Sequence, residues 1–381
     1  MASNGNERER VIVVLSLSGG NDGLNTLIPY NNPTYYDYRN TLGISEDQVI
    51  RINDEVGFHP SMTELKGIYD QGNMAVIQGV GYPNPSRSHF RSMDIWHTCE
   101  PDTIGSEGWL GRTIRDLDPN HENVLTGVNF GRGLPRALAA PGVPVASVGN
   151  LATYGLLTGI PGEEERSQAL DIFSRMYSPA IGSGPIMDYI WETGRSALKG
   201  ADILKVAPEM YSSSVEYGNY PIAQGMRGIA QVHFADLGTR ILYTTSPYNS
   251  FDTHANQAGD HARLWRQVSE TVSDFYEDLK EHHRGDEVLL FMFSEFGRRA
   301  RDNGGGTDHG TGGVCWVMGD HVKGGLYGQY PSLKEGDLED GGDLLHTVDF
   351  RSVYATMLEK WLGMDSKPIV GGTFEQLDFL N

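Results

Sequence analysis

The stretch Val11-Ile12-Val13-Val14-Leu15-Ser16-Leu17-Ser18-Gly19-Gly20-Asn21-Asp22-Gly23 decides how the rest of the chain is read. A β-branched apolar run with no polar alternation reads as a strand covered on both faces, which is the signature of a parallel sheet. The glycine turn that follows lets backbone approach a ligand closely, and it carries Asp22 to the carboxyl end of that strand. Four further runs read the same way: Met74–Gly79, Ile241–Thr245, Val288–Phe293 and Val314–Met318, with Pro144–Val148 a weaker candidate. Two helices stand out. Leu264, Trp265, Val268, Val272, Phe275, Tyr276 and Leu279 recur at three and four residues, and Asp349–Leu362 carries a second apolar face that Gly363 is placed to stop. Strands alternating with helices predict an α/β fold, a mostly parallel sheet sandwiched by helices, spanning 1–381 as one domain. Residues 160–238 show no buried strand and predict a helical insertion or cap.

Composition narrows the function. Lys and Arg number 30 against 50 Asp and Glu, a net charge of −20, so no nucleic-acid partner is expected. No apolar run approaches the roughly 20 residues of a membrane span, so no membrane insertion is expected. The two cysteines, Cys99 and Cys315, exclude a disulfide scaffold and a Cys-rich zinc site, and they read as buried thiols. The polar start Met1–Asn6 lacks the apolar core of a signal peptide, which fits a cytoplasmic protein or a chain whose leader has been removed.

Ligands of open parallel sheets sit beyond the carboxyl ends of the strands, and polar clusters fall there. Asn21 and Asp22 follow the first strand. Asp22 is a natural oxygen ligand, although the same residues also suit a simple Asx turn. Ser86-Arg87-Ser88-His89 follows the second. Ser88 suits an N-cap, and the same position beside unpaired helix amides suits a nucleophile whose product is an anion. Arg87 and Arg91 are placed to hold substrate oxygens, and His89 to act as an acid or to orient the ester. In Phe251-Asp252-Thr253-His254, positions i and i+2 share a side, so Asp252 and His254 aim at one point. His261 is a further ligand or supporting residue, whereas His282 and His283 suit a surface helix terminus. Glu295 ends the fifth strand and requires a cation or a hydrogen-bond partner, with Arg298 or Arg299 as the ordinary ion-pair solution. Asp308-His309 sits between glycine runs before the sixth strand. Acids and imidazoles gathered on one rim repel one another unless a divalent ion intervenes. The donor set favours zinc or manganese, with calcium as an alternative.

The strings FDTHANQ (251–257), SEFGRRARDNGGGTDHG (294–310) and DFRSVYATMLEKWLG (349–363), with SLSGGNDGLNT (16–26) and PSRSHFRSMDIW (85–96), resemble the bacterial domain-of-unknown-function family number 1501. That family is similar to the alkaline-phosphatase and sulfatase superfamily. The resemblance implies an alkaline-phosphatase-like fold and one or two divalent ions held by Asp22, Asp252, His254, Glu295, Asp308 and His309. It also implies Ser88 as nucleophile, with metal-activated water as the alternative, acting on a phosphate or sulfate ester of a small molecule or glycan. Phe296 stands where the superfamily has a His, which bears on the second ion. Cys99 lacks the C-x-P-x-R setting of formylglycine sulfatases. The resemblance further implies a periplasmic or extracellular location. The alternative function is an inactive member that binds a glycan or a protein.

Overall fold

The computed structural model describes residues 9–151, 163–176, 184, 193–194, 196, 199–201, 203–339 and 341–380. Its centre is a nine-stranded sheet. Along the chain, β1 is Val11–Ser16, β2 Met74–Gly81, β3 Gly127–Phe130, β4 Ala146–Val148, β5 Ile241–Thr245 and β6 Val288–Phe293. A two-stranded ribbon follows, β7 Arg298–Asp302 and β8 Thr307–His309, and the sheet resumes with β9 Gly313–Met318, β10 Gly325–Tyr327 and β11 Val348–Asp349. The spatial order is β10-β2-β9-β6-β1-β5-β3-β4, with β11 also paired to β2.

The expected α/β fold with a mostly parallel sheet is observed. β1 pairs in parallel with both β5 and β6, as its unbroken apolar run requires. β9 is the exception, running antiparallel to β2 and β6. Reversal places the beginning of β9 at the rim where β1, β2, β5 and β6 end. The loop carrying His309 therefore joins the loops carrying Asp22, Asp252 and Glu295.

Side chains of β1 alternate between two cores. Val11, Val13 and Leu15 pack on one face, and Ile12 and Val14 on the other. Each such fully buried side chain contributes about 1.5–3 kcal/mol. The first face is covered by α1 (Thr63–Asp70), and the second by α2 (His89–Thr98) and α3 (Trp109–Leu117). On the first face α1 is joined by α4 (Pro221–Phe234) and α5 (Gln257–Glu281), whose Leu264, Trp265, Val268 and Val272 form the predicted stripe. On the second, α6 (Phe350–Thr356) widens into a π-helical turn over Met357–Trp361, and Gly363 follows at φ +70°. Within the expected 160–238 insertion, Glu163–Met176 is helical and α4 packs on α5 and β5 as part of the sheet's covering layer, while most of 177–198 lies outside the described residues. Cys99 and Cys315 are free and buried.

His97 joins α2 to the sheet: it is buried, with its Nε2 3.2 Å from the Tyr243 hydroxyl. Burial, reinforced by the charge of Arg136, pushes its imidazole down to about 3. The folded chain therefore keeps His97 neutral, while the unfolded chain protonates it near 6.5. Its stabilisation is complete above pH 6.5 and is lost progressively as pH falls from there toward 3. Denaturant titrations between pH 7 and 4 should show His97→Gln losing less stability per pH unit than wild type, by about 1.4 kcal/mol. Equal slopes would remove His97 as an acid-sensitive group.

Candidate metal centre

Asp252 lies at the middle of the rim. Its Oδ1 is 2.7 Å from Arg298 Nη2, 3.0 Å from His254 Nε2 and 3.1 Å from His309 Nε2, and its Oδ2 is 3.3 Å from His89 Nε2. Burial pushes this carboxyl up, but the Arg298 hydrogen bond and charge outweigh it and hold Asp252 below its ordinary value. The backbone enforces the approach. Gly19 sits at φ +120°, and a Cβ there would lie 2.5 Å from the Asp252 nitrogen.

The imidazoles are held from behind. His309 Nδ1 is 2.8 Å from the Arg87 carbonyl oxygen, which can only accept, so the proton is on Nδ1 and Nε2 carries a lone pair. That nitrogen faces His254 Nε2 at 3.0 Å as well as Asp252. Burial pushes His309 below its ordinary value and favours the neutral ring. His89 Nδ1 is 2.8 Å from Glu295 Oε1, which directs His89 Nε2 toward Asp252. This Nε2 is buried and has no hydrogen-bond partner among the described residues. The Glu295 hydrogen bond raises the basicity of His89 against the opposing effect of burial.

Imidazole nitrogens and a carboxylate facing one another at about hydrogen-bond distance fit a divalent cation. His89, Asp252 and His309 present donor atoms within 4.8 Å of one another. Two imidazoles and a carboxylate match zinc better than calcium, which takes six to eight oxygens. His254, half exposed, stands beside Asp252 and His309 at the outer edge.

The remaining candidates are placed differently. Glu295, expected as a ligand, is the carboxylate behind His89; it also accepts from Gly19 N (2.9 and 3.1 Å) and Ser294 Oγ (3.2 Å). Asp22 is fully buried, and both its oxygens are engaged, by Arg39 at 2.5 and 2.8 Å and by Gln257 at 2.5 Å. Although burial pushes the Asp22 carboxyl up, Arg39 holds it below the usual carboxylate range. The structure therefore does not bring Asp22 into the cluster but joins it to the same rim, through Gln257 and Thr307. Asp308 is exposed, 3.6 Å from His254 Nδ1. Asn21 is buried, and its side chain meets His261 (3.0 Å) and Trp265 (3.2 Å). Arg87 bonds Asp343, and Arg91 bonds Asp94 and the carbonyls of Glu100, Pro101 and Thr103. Ser88 begins α2, is exposed, and makes no capping bond with its hydroxyl. Sequence reasoning gave Arg298 or Arg299 to Glu295, whereas Arg298 bonds Asp252, and it overlooked Arg39 and Gln257, whose shared partner Asp22 is distant in the chain.

A cavity of about 520 Å³ opens beside the cluster, with Ser18, Ser88, His89 and Glu295 on one side. Residues 196–373, which carry Asp252, His254, Glu295, Arg298 and His309, match the family described as protein of unknown function (DUF1501). No curated protein matches this chain. Solved structures similar to it include a protein in the alkaline phosphatase superfamily from Vibrio parahaemolyticus (8% identity, 96% of this chain and 69% of that one, TM-score 0.41). PsFucS1 sulfatase from Pseudoalteromonas sp. is 11% identical over 97% of this chain and 71% of that one, TM-score 0.40. Ps i-CgsB in complex with k-i-k-neocarrahexaose is 11% identical over 97% and 73%, TM-score 0.39.

Asp22→Asn should leave Arg39 buried without a counter-charge and cost about 3–5 kcal/mol in chemical denaturation, while uptake of added zinc, read by elemental analysis, stays at the wild-type level. Loss of zinc at unchanged stability would instead place Asp22 among the ligands.

Proposed function

We propose that this chain is a metal-dependent hydrolase or transferase acting on phosphate or sulfate esters. The observation that carries the reading is His89 Nε2, buried and without a hydrogen-bond partner, while Glu295 fixes the other ring nitrogen. A carboxylate behind an imidazole is the arrangement that orients a metal-binding histidine and makes it more basic. His89, Asp252 and His309 would hold one ion, with His254 completing the set. A divalent cation there supplies Lewis acidity, lowering the pKa of a hydroxyl or water and offsetting charge on the ester oxygens.

The chain's own residues supply the rest. Ser88, exposed at the start of α2 and next to His89, is the favoured nucleophile, and water is the alternative. The amides of the first turn of α2 favour an anion bound there. As the new oxygen–phosphorus or oxygen–sulfur bond forms, the ester bond breaks and its electron pair leaves with the alkoxide or phenoxide. The proton given up by the nucleophile balances the one this leaving oxygen gains. If Ser88 is the nucleophile, a second attack by water or by an acceptor alcohol releases the group and restores the hydroxyl. Asn21, buried, has no part in this step, whereas Arg87 positions His309 through its carbonyl. The same reading carries an exported location; no helix among the described residues is long and apolar enough to cross a membrane.

The test uses zinc- and manganese-loaded protein with aryl phosphates and aryl sulfates. His89→Ala and His309→Ala should each lose stoichiometric metal and at least about 100-fold in kcat/KM. Ser88→Ala should abolish turnover if Ser88 is the nucleophile and leave it nearly intact if water attacks. Metal binding without hydrolysis of any ester would favour a binding module, and no metal binding would remove the centre.

A further inference from the structure

Resting on that reading, we infer that the cavity beside the cluster is a subsite for an apolar leaving group, so that the preferred esters carry an aryl or alkyl substituent rather than a small polar one. Large apolar side chains are rarely left open to water in a group. Here Phe90 is 79% exposed, Ile104 80% and Tyr248 74%, and all of them line this one cavity. They come from separate parts of the chain: the first turn of α2, the loop before α3 and the loop after β5. Local sequence does not explain their meeting.

Helix geometry links the cavity to the reacting centre. On α2, Phe90, Met93, Asp94 and His97 follow the i, i+3, i+4, i+7 pattern and all line the cavity. His89 and Ser92, on the neighbouring stripe, turn to the rim, where His89 meets Glu295 and the Ser92 hydroxyl donates to the Glu295 carbonyl at 2.5 Å. A group departing from the ester at His89 and Ser88 therefore leaves directly onto Phe90. The charged side chains of the wall do not compete for it. Asp94 is paired with Arg91 at 2.6 Å and with Arg136 at 2.9 Å, and the remaining contacts of Arg91 are to carbonyls. What the cavity offers is apolar area in a volume of about 520 Å³, room for an aromatic ring or a short alkyl chain.

The experiment compares wild type, Phe90→Ala and Ile104→Ser in the zinc-loaded full chain. The substrates are 2-naphthyl phosphate and methyl phosphate, with 2-naphthyl sulfate and methyl sulfate in parallel. Both side chains are exposed, so melting temperatures should not change, and this is checked first. Each substitution should lower kcat/KM for the naphthyl ester about tenfold and leave the methyl ester unaffected. Equal loss on both esters, or no loss on either, overturns the subsite. A second readout separates this inference from the hydrolase reading: 2-naphthol fluorescence titrated into each protein without any ester. If wild type turns over no ester but binds 2-naphthol, and the variants bind it at least about tenfold more weakly, the subsite stands and the hydrolase reading fails. Absence of 2-naphthol binding, or equal binding by all three proteins, overturns the subsite even where esters are hydrolysed.

Discussion

The rim depends on one buried guanidinium. Arg298 is excluded from solvent, and its guanidinium makes five hydrogen bonds to three separate segments. Nε donates to the Gly20 carbonyl at 2.6 Å, Nη1 to Thr307 at 2.9 Å, and Nη2 to Phe251 at 3.1 Å, to Gly19 and to Asp252. A buried cation is costly unless paired and saturated with acceptors, and here the acceptors are the loops after β1 and β5 and the start of β8. Packing alone would not fix loops this rich in glycine. With Arg298 holding Asp252 Oδ1, the second oxygen is left facing His89. The position of the proposed centre therefore follows from satisfying an arginine. Lysine, with a point charge and three donors, lacks the planar fork that this set of acceptors requires.

A second arginine sets how many ions the proposed centre takes. Asp22 and Arg39 are both fully buried, and the guanidinium supplies the positive charge that a carboxylate in that position demands. Phe296 acts in the same direction: its ring lies 4.9 Å from His89 and 5.0 Å from His309, filling with hydrocarbon a place beside the cluster where a further donor would be needed. Both features point to a mononuclear centre. Of the one or two ions that the resemblance implies, a second held by Asp22 would need that carboxylate to be released from Arg39 and Gln257.

The sheet was legible because strands buried on both faces leave an unbroken apolar record, as in Val11–Ser16 and Val288–Phe293. Gly127–Phe130 left no such record, because a four-residue strand containing Gly and Asn reads as a turn. The direction of Gly313–Met318 was equally hidden: hydrophobicity records burial, and an antiparallel strand is buried in the same way as a parallel one. At the rim, the sequence placed Asp252, His254 and His309 together, because each follows or precedes a readable strand by a few residues. It gave Glu295 to the ion and His89 to the ester. Both sit at strand or helix ends, and which one faces the centre is settled by a hydrogen bond between residues 206 apart. The pairing of Asp22 with Arg39 was missed for a related reason. Arg39 follows the short helix Pro33–Tyr38 among polar neighbours, with no local mark that it folds inward.

Electrostatics constrains how an anionic ester would reach this rim. The chain carries a net charge of −20, and a phosphate or sulfate approaching it is repelled at long range. Within the cluster the balance differs. Asp252 is offset by Arg298, Asp22 by Arg39 and Asp343 by Arg87, which leaves Glu295, hydrogen-bonded to His89 and to Gly19 N, as the buried carboxylate beside the imidazoles that no arginine among the described residues offsets. A divalent ion added to that set would keep most of its charge for the ester, whereas a ligand set rich in unpaired carboxylates would cancel it. Screening acts in the same direction, because physiological salt shortens the reach of the surface charge to roughly 8 Å and affects a partly buried centre less. An acidic chain can therefore keep much of an ion's charge for the ester, provided most carboxylates near the ion, as Asp252, Asp22 and Asp343 do here, have their own arginine.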